Sequence, residues 1–291
     1  MASKQKVLAV SALLFGATTW GLVWYPYRLL ELSGVSGALS CFFTYSIPLL
    51  VGVVFFRRQL SRVRDFRWML LGIGFTAGWT NLAYVLAILH GEVMRVLLLF
   101  YLSPLWTVIF ARLLLNERPN RYGYLVIGMA FAGAVTMLWQ SHLGAPLPRN
   151  SAEWLALSAG LTFAAINVLS RRGKEIPVNL KSLSVWAGVS LLSLLAMAFY
   201  PDEFAVVSRL APADWTLLLA LGAIMFLVTV ITQYGLAHTP ANQAIVIFLF
   251  ELVVAAVSSY FLANEALGVR EWLGGALIVA ATLFSGKLEQ G

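Results

Sequence analysis

A glutamate set in a greasy run has more chemistry to offer than any other residue in this chain. Glu251 stands within Phe248-Leu249-Phe250-Glu251-Leu252, and no other charged residue occurs between Ala241 and Leu262. A carboxyl at the centre of a bilayer is expensive when charged, which favours the neutral acid, and it marks a functional site by default. Two roles fit it. It carries a proton or pairs with a substrate amine, or it is a structural acid hydrogen-bonded to a neighbouring helix.

Sliding the chain by 148 positions sets Glu251 on Ser103, Phe248 on Phe100, Asn264 on Asn116 and Glu265 on Glu117. Leu and Ala matches arise easily in so apolar a chain, but an Asn-Glu pair at one distance between long apolar spans does not. Around Ser103 lie Tyr101, Pro104 and Trp106. Pro104 has no backbone N–H and frees a carbonyl near mid-span, so it is a candidate hinge. Tyr101, Ser103 and Trp106 bring polar tips to the same depth. A second set of pairs places Trp20-Gly21 against Phe163-Ala164, and Tyr84 against Tyr234. Trp20, Asn81, Tyr84, Phe163, Tyr234 and Phe248 are candidate cavity walls, and Gly21 is a candidate close-contact or hinge point. Buried tyrosine hydroxyls need hydrogen bonds in any case, so packing alone accounts for Tyr84 and Tyr234 equally. Asn167 lies well inside an apolar span, where its amide serves a neighbouring helix or a substrate.

The elements that carry these residues follow from composition. Of 291 residues, 60% are hydrophobic and 11% charged, with a mean hydropathy of +0.83; soluble domains carry about 25% charged residues. The chain belongs in a bilayer. A helix needs about 20 residues to cross one, and ten such spans fit, near 7–25, 37–56, 68–89, 93–115, 122–140, 153–170, 182–200, 215–236, 241–262 and 271–286. They use nearly the whole chain and leave no room for a soluble domain. Stretches such as Leu183–Ala198 are apolar all round rather than alternating, which excludes a β-barrel. The N-terminal run after Lys4 and Lys6 is too long for a cleaved signal peptide and ends in aromatics, so it reads as the first span. In it, Pro26 should end or kink the helix, and Trp24, Tyr25 and Tyr27 read as interfacial belt residues. Arg95 and Arg112 can snorkel to the headgroups from opposite ends of the fourth span. The fifth and tenth spans carry Gly128, Gly133, Gly274 and Gly275, suited to packing or a dimer contact.

One cysteine, Cys41, excludes an internal disulfide, and His90, His142 and His238 are scattered. No metal or cofactor is expected. The net charge of +7 could suggest nucleic acid, but no basic stripe is interleaved with stacking aromatics. Assigned to the nearer span end, 15 of the 20 basic residues fall on one side, leaving Arg28, Arg95, Arg149, Arg209 and Arg270 opposite. By the positive-inside bias both termini are cytoplasmic. With five spans in each half, 1–144 and 145–291, the second copy runs upside down relative to the first. Inverted repeats of this kind are a hallmark of secondary transporters, with the substrate site at the repeat interface.

At these residues the chain resembles the EamA family of the drug/metabolite transporter superfamily. Trp20-Gly21, the Tyr84 to Ala87 stretch, Pro104 followed by Asn116-Glu117, and the repeated Asn264-Glu265 carry the resemblance, which covers both halves. Within that family it is most similar to the YddG-like bacterial exporters of aromatic amino acids. The resemblance implies an all-α, ten-helix protein of two inverted repeats around a central cavity, in the bacterial inner membrane. It also implies export of small metabolites. One departure stands out: Leu252 takes the place equivalent to Pro104, beside the unmatched Glu251, which speaks against a strictly symmetric mechanism.

The leading expectation is a non-enzymatic exporter of aromatic and other amino acids, working as a monomer or weak dimer. Stacking and cation–π contacts to the aromatic candidates are worth roughly 0.5–2 kcal/mol each. No phosphate-binding loop is present, so the driving force is a proton gradient through Glu251 or simple diffusion. The alternative is efflux of cationic drugs or other amphipathic metabolites, with Glu251 as counter-ion. A membrane enzyme would need His, Asp or Ser groups clustered at one depth, and the spans hold too few.

Overall fold

The computed structural model describes residues 2–91, 93–139, 147–199, 202–262 and 268–285. Asn264-Glu265, His142, Lys287 and the expected boundary between the halves at 144/145 lie outside the described residues. Every regular element among those described is helical. The order is α1 (Ala2–Leu32), α2 (Gly37–Phe55), a 3-10 segment Arg57–Phe66, α3 (Arg67–His90), α4 (Val93–Phe100), α5 (Ser103–Leu115) and α6 (Arg121–Leu138). The second half follows with α7 (Ser151–Arg172), α8 (Val178–Met197), the short α9 (Asp202–Val207), α10 (Pro212–His238), α11 (Ala241–Phe248), α12 (Phe250–Leu262) and α13 (Val269–Phe284).

Side-chain caps set several of the starts. Ser36 accepts from the Leu39 N–H at 3.1 Å, Asn120 from Gly123 at 2.7 Å and Asn150 from Glu153 at 2.9 Å, each relieving an N–H that the first turn leaves unpaired. Asn116 ends α5 at φ 58°, a left-handed position that asparagine tolerates. Among the described residues nine stretches are long and apolar enough to cross a membrane, with α4–α5 and α11–α12 each forming one stretch. The expected tenth span is α13, whose 16 described residues are short of the roughly 20 that a crossing takes.

The halves have no separate interiors. The most extensive packing joins α1 to α10 and α12, α7 to α3 and α5, α2 to α8 and α10, α3 to α8, and α6 to α13. Exchanging the halves (α1 with α7, α2 with α8, α3 with α10, α5 with α12, α6 with α13) turns this pairing into itself. Gly133 and Gly274 bring α6 and α13 backbone to backbone: a Cβ on Gly133 would lie 2.7 Å from the Gly274 carbonyl. Their use is therefore packing within the chain, as small residues allow between membrane helices.

Two local expectations are corrected. Pro26 does not end its helix; α1 runs on to Leu32. The bond it cannot donate is offset by tertiary anchors on either side. The Trp24 indole donates to Ser258 at 2.9 Å, Ser258 donates to the Gly21 carbonyl at 3.0 Å, and Tyr27 and Thr44 hydroxyls pair at 2.8 Å. Trp24 and Tyr27 are thus hydrogen-bonded into the bundle rather than serving only as a belt. Arg95 does not snorkel either. It is 3% exposed, donating from Nε to Glu153 at 2.6 Å and from a terminal nitrogen to the Leu147 carbonyl at 2.6 Å. Arg112 is exposed, as expected.

Candidate substrate site

The two chain breaks that interrupt long spans fall at equivalent places. Between α4 and α5, Leu102 N–H bonds to Leu99 O at 3.3 Å and Leu105 N–H to Leu102 O at 3.0 Å. Between α11 and α12, Leu252 N–H bonds to Leu249 O at 3.1 Å. Such three-residue bonds tighten the last or first turn of a helix. Pro104 at the start of α5 accounts for the first break, yet Leu252 has an N–H and the second forms as well. The local symmetry therefore survives the substitution that seemed to threaten it. What the breaks share is a glycine from a crossing helix pressed on their backbone. A Cβ on Gly160 of α7 would overlap the Phe100 carbonyl, and one on Gly21 of α1 would lie 2.8 Å from the Glu251 carbonyl.

Four rings meet at these breaks. Tyr84 and Phe100 centroids lie 5.0 Å apart, Phe100 and Phe163 5.3 Å, and Phe163 and Phe248 5.7 Å. These are tilted pairs within the favourable range for aromatic contacts. Phe100 and Phe248 are repeat equivalents, so Phe163 of α7 bridges the same position in both halves. Tyr101 packs edge-on against Phe100 at 5.1 Å. Tyr101 and Tyr84 both lie within electrostatic reach of the Glu251 carboxyl. Glu251 itself is half-buried.

Other candidates fall around this ladder or away from it. The Ser103 hydroxyl, the Trp106 indole N–H and the Asn167 amide nitrogen are buried and bonded to no described group. A buried polar atom without a partner costs about 1–3 kcal/mol. The same holds for Thr232, Gln233 and Asn242, which the sequence reading did not place in the site. Thr232 does belong beside it, because a Cβ on Gly16 would touch both its hydroxyl, at 2.6 Å, and the Phe248 ring, at 3.7 Å. Its only signal in the sequence is a hydroxyl one turn before Leu236 on an apolar helix, too common to single out.

Asn81 bonds internally to Ala77 O at 2.9 Å and accepts from Tyr45 at 3.4 Å. Tyr234 lies tilted against His238 at 4.3 Å instead of joining the ladder, so Tyr84 and Tyr234 do not share surroundings. Trp20 packs against the apolar cluster of α2, α3, α8 and α10, while its counterpart Phe163 is at the centre.

Along the ladder the rings are in contact with one another. Two hollows stand out among the described residues: one of about 590 Å³ lies beside the 3-10 segment, and one of about 440 Å³ is an apolar groove between α1 and α12. Neither is lined by the ladder rings. Beneath the ladder, Glu117 gathers four helix ends. It pairs with Arg171 at 3.0 Å and accepts from the Ala241 N–H at 2.9 Å, while Arg171 also donates to the Ala237 carbonyl at 2.9 Å. Half of the Asn-Glu repeat thus has a concrete role in the structure.

Comparison with known proteins agrees with this architecture. The EamA-like transporter family matches residues 7–139 and again 150–286. The chain is 28% identical to an S-adenosylmethionine uptake transporter of Rickettsia prowazekii, over 84% of this chain and 79% of that protein. It is 25% identical to a pseudopaline exporter of Pseudomonas aeruginosa, over 77% and 76%. A riboflavin transporter of Rhizobium johnstonii is 27% identical over 83% and 76%. A protein of known crystal structure superposes with a TM-score of 0.76 at 19% identity, covering 99% of each chain, which speaks to the fold alone. With a family match over both halves and an all-helical membrane bundle to carry it, this chain belongs to the EamA-like transporter family.

Proposed function

We propose that the chain moves small ring-bearing metabolites, foremost aromatic amino acids, out of the cytoplasm by alternating access between two inverted halves, 1–144 and 145–291. The observation that carries this reading is the Tyr84–Phe100–Phe163–Phe248 ladder, with Glu251 beside it. The rings meet at backbone breaks that both halves possess, with Phe163 joining equivalent positions of the two. Parting Phe163 from Phe100 would expose a slot faced by aromatic surfaces, and parting it from Phe248 would expose the equivalent slot. An aromatic side chain can replace the lost ring contact in either case. An amine can meet Glu251, and Tyr84 and Tyr101 add electron-rich faces. Both termini lie in the cytoplasm on the charge pattern, and ten helices complete the bundle.

A second reading, transport of cationic amphipathic molecules, is favoured by the same Glu251, which lies near Tyr84 and Tyr101 and, among the described residues, in no ion pair. Names among the relatives include an S-adenosylmethionine carrier and a riboflavin carrier, both compatible with a slot that takes a flat ring. Proteoliposomes loaded with labelled tryptophan, phenylalanine or a lipophilic cation separate the readings. Efflux of the amino acids down their gradient supports the first; efflux of the cation alone supports the second. If none of the three leaves faster than from empty vesicles, the transport reading fails for these classes.

A further inference from the structure

The larger hollow plays no part in the passage proposed above. Arg64 and Asp65 line it from the 3-10 segment, Arg67 and Trp68 from the start of α3, and Arg172 and Glu175 from the end of α7 and the turn after it. Its volume is about 590 Å³, and three guanidinium groups against two carboxylates leave it positive. No ion pair engages any of these arginines among the described residues. Arg67 instead lies 5.2 Å over the Trp68 ring, a placement that keeps its N–H groups free for an anion.

From this basic hollow an apolar stripe runs along α3 towards the bilayer. Trp68, Leu71 and Phe75 are 74%, 62% and 59% exposed, and their spacing puts them on one helix face. A soluble anion would use only the arginines. A phospholipid uses both features: guanidinium groups grip a phosphate with paired hydrogen bonds, and the stripe receives acyl chains. Basic pockets between membrane helices take anionic headgroups for this reason. We propose that this hollow binds one anionic phospholipid, its headgroup phosphate held by Arg64, Arg67 and Arg172 and its chains laid along Trp68, Leu71 and Phe75.

Native mass spectrometry of the purified full-length protein in detergent tests this, with phosphatidylglycerol, phosphatidylcholine and inorganic phosphate titrated separately. The wild type should retain one phosphatidylglycerol in preference to phosphatidylcholine. Changing Arg64→Gln, Arg67→Gln and Arg172→Gln together should weaken that binding on the order of 100-fold, at the usual strength of an arginine near a charged headgroup. The control Arg57→Gln, Arg58→Gln, Arg62→Gln removes equal charge from the same connection outside the hollow, and should leave retention within about threefold. Should the first triple variant not fold, Arg172→Gln alone, at an exposed position, should still cost about fivefold. Equal loss in both triple variants would show diffuse surface charge and overturn the site. So would equal retention of phosphatidylcholine, or displacement of the lipid by millimolar inorganic phosphate.

Discussion

Phe163→Ala strikes the ladder at the ring that touches both repeat-equivalent positions, Phe100 and Phe248. The substitution removes contacts at 5.3 Å to Phe100 and 5.7 Å to Phe248, each worth about 0.5–1.5 kcal/mol beyond area burial. One such contact corresponds to about 2- to 13-fold in a ratio of rates. If a substrate ring takes over one of these contacts when the halves part, it uses the same surfaces. Losing them should then lower the preference for phenylalanine over leucine by a factor in that range. The assay is paired efflux of labelled phenylalanine and leucine from proteoliposomes, with thermal melting in detergent to confirm a folded variant. Phe199→Ala, at a ring 80% exposed just past the end of α8, serves as control and should leave the ratio alone. An unchanged ratio in a cooperatively melting Phe163→Ala variant would refute the slot and leave the ladder as packing.

Glu251→Gln keeps the shape of the carboxyl and removes its proton exchange; if this group couples transport to protons, flux should lose its pH dependence, whereas a retained pH profile removes that role. Tyr101→Ala should depress flux in folded protein, while Trp20→Ala should lower the melting temperature with flux largely kept, since Trp20 packs away from the ladder; the reverse pattern would move the site. Arg95→Met leaves Glu153 buried without its charge partner, which typically costs about 3–5 kcal/mol. Melting should fall sharply and recover in part with Glu153→Leu added, and a single-variant melting point equal to wild type would show the pair to be inert. Gly160→Val puts a side chain into the Phe100 carbonyl, and overpacking of this kind costs about 1–3 kcal/mol. Lower yield and melting temperature are expected, and an undisturbed variant would mean that the crossing is loose.

Membrane residence, span positions and the duplicated plan were readable from the chain, because apolar runs of bilayer length leave little choice of structure. So was the pairing of Phe100 with Phe248 and the acid in an apolar span, since a shared motif and a single charge in a greasy run are both visible as text. Which of the candidates touch is a different matter. Trp20 and Phe163 are equivalent by position, yet Phe163 touches both Phe100 and Phe248 while Trp20 packs against the apolar cluster of α2, α3, α8 and α10. Asn81 looked available and is satisfied by Ala77 and Tyr45; Thr232 looked ordinary and lies against Phe248. The second break needs no proline and could not be inferred from one. Helix rotation and crossing depth decide all of these, and both are set by where small residues such as Gly21 and Gly160 let another backbone come close. A linear pattern records which residues share a helix face, but it takes the packed bundle to say what that face meets.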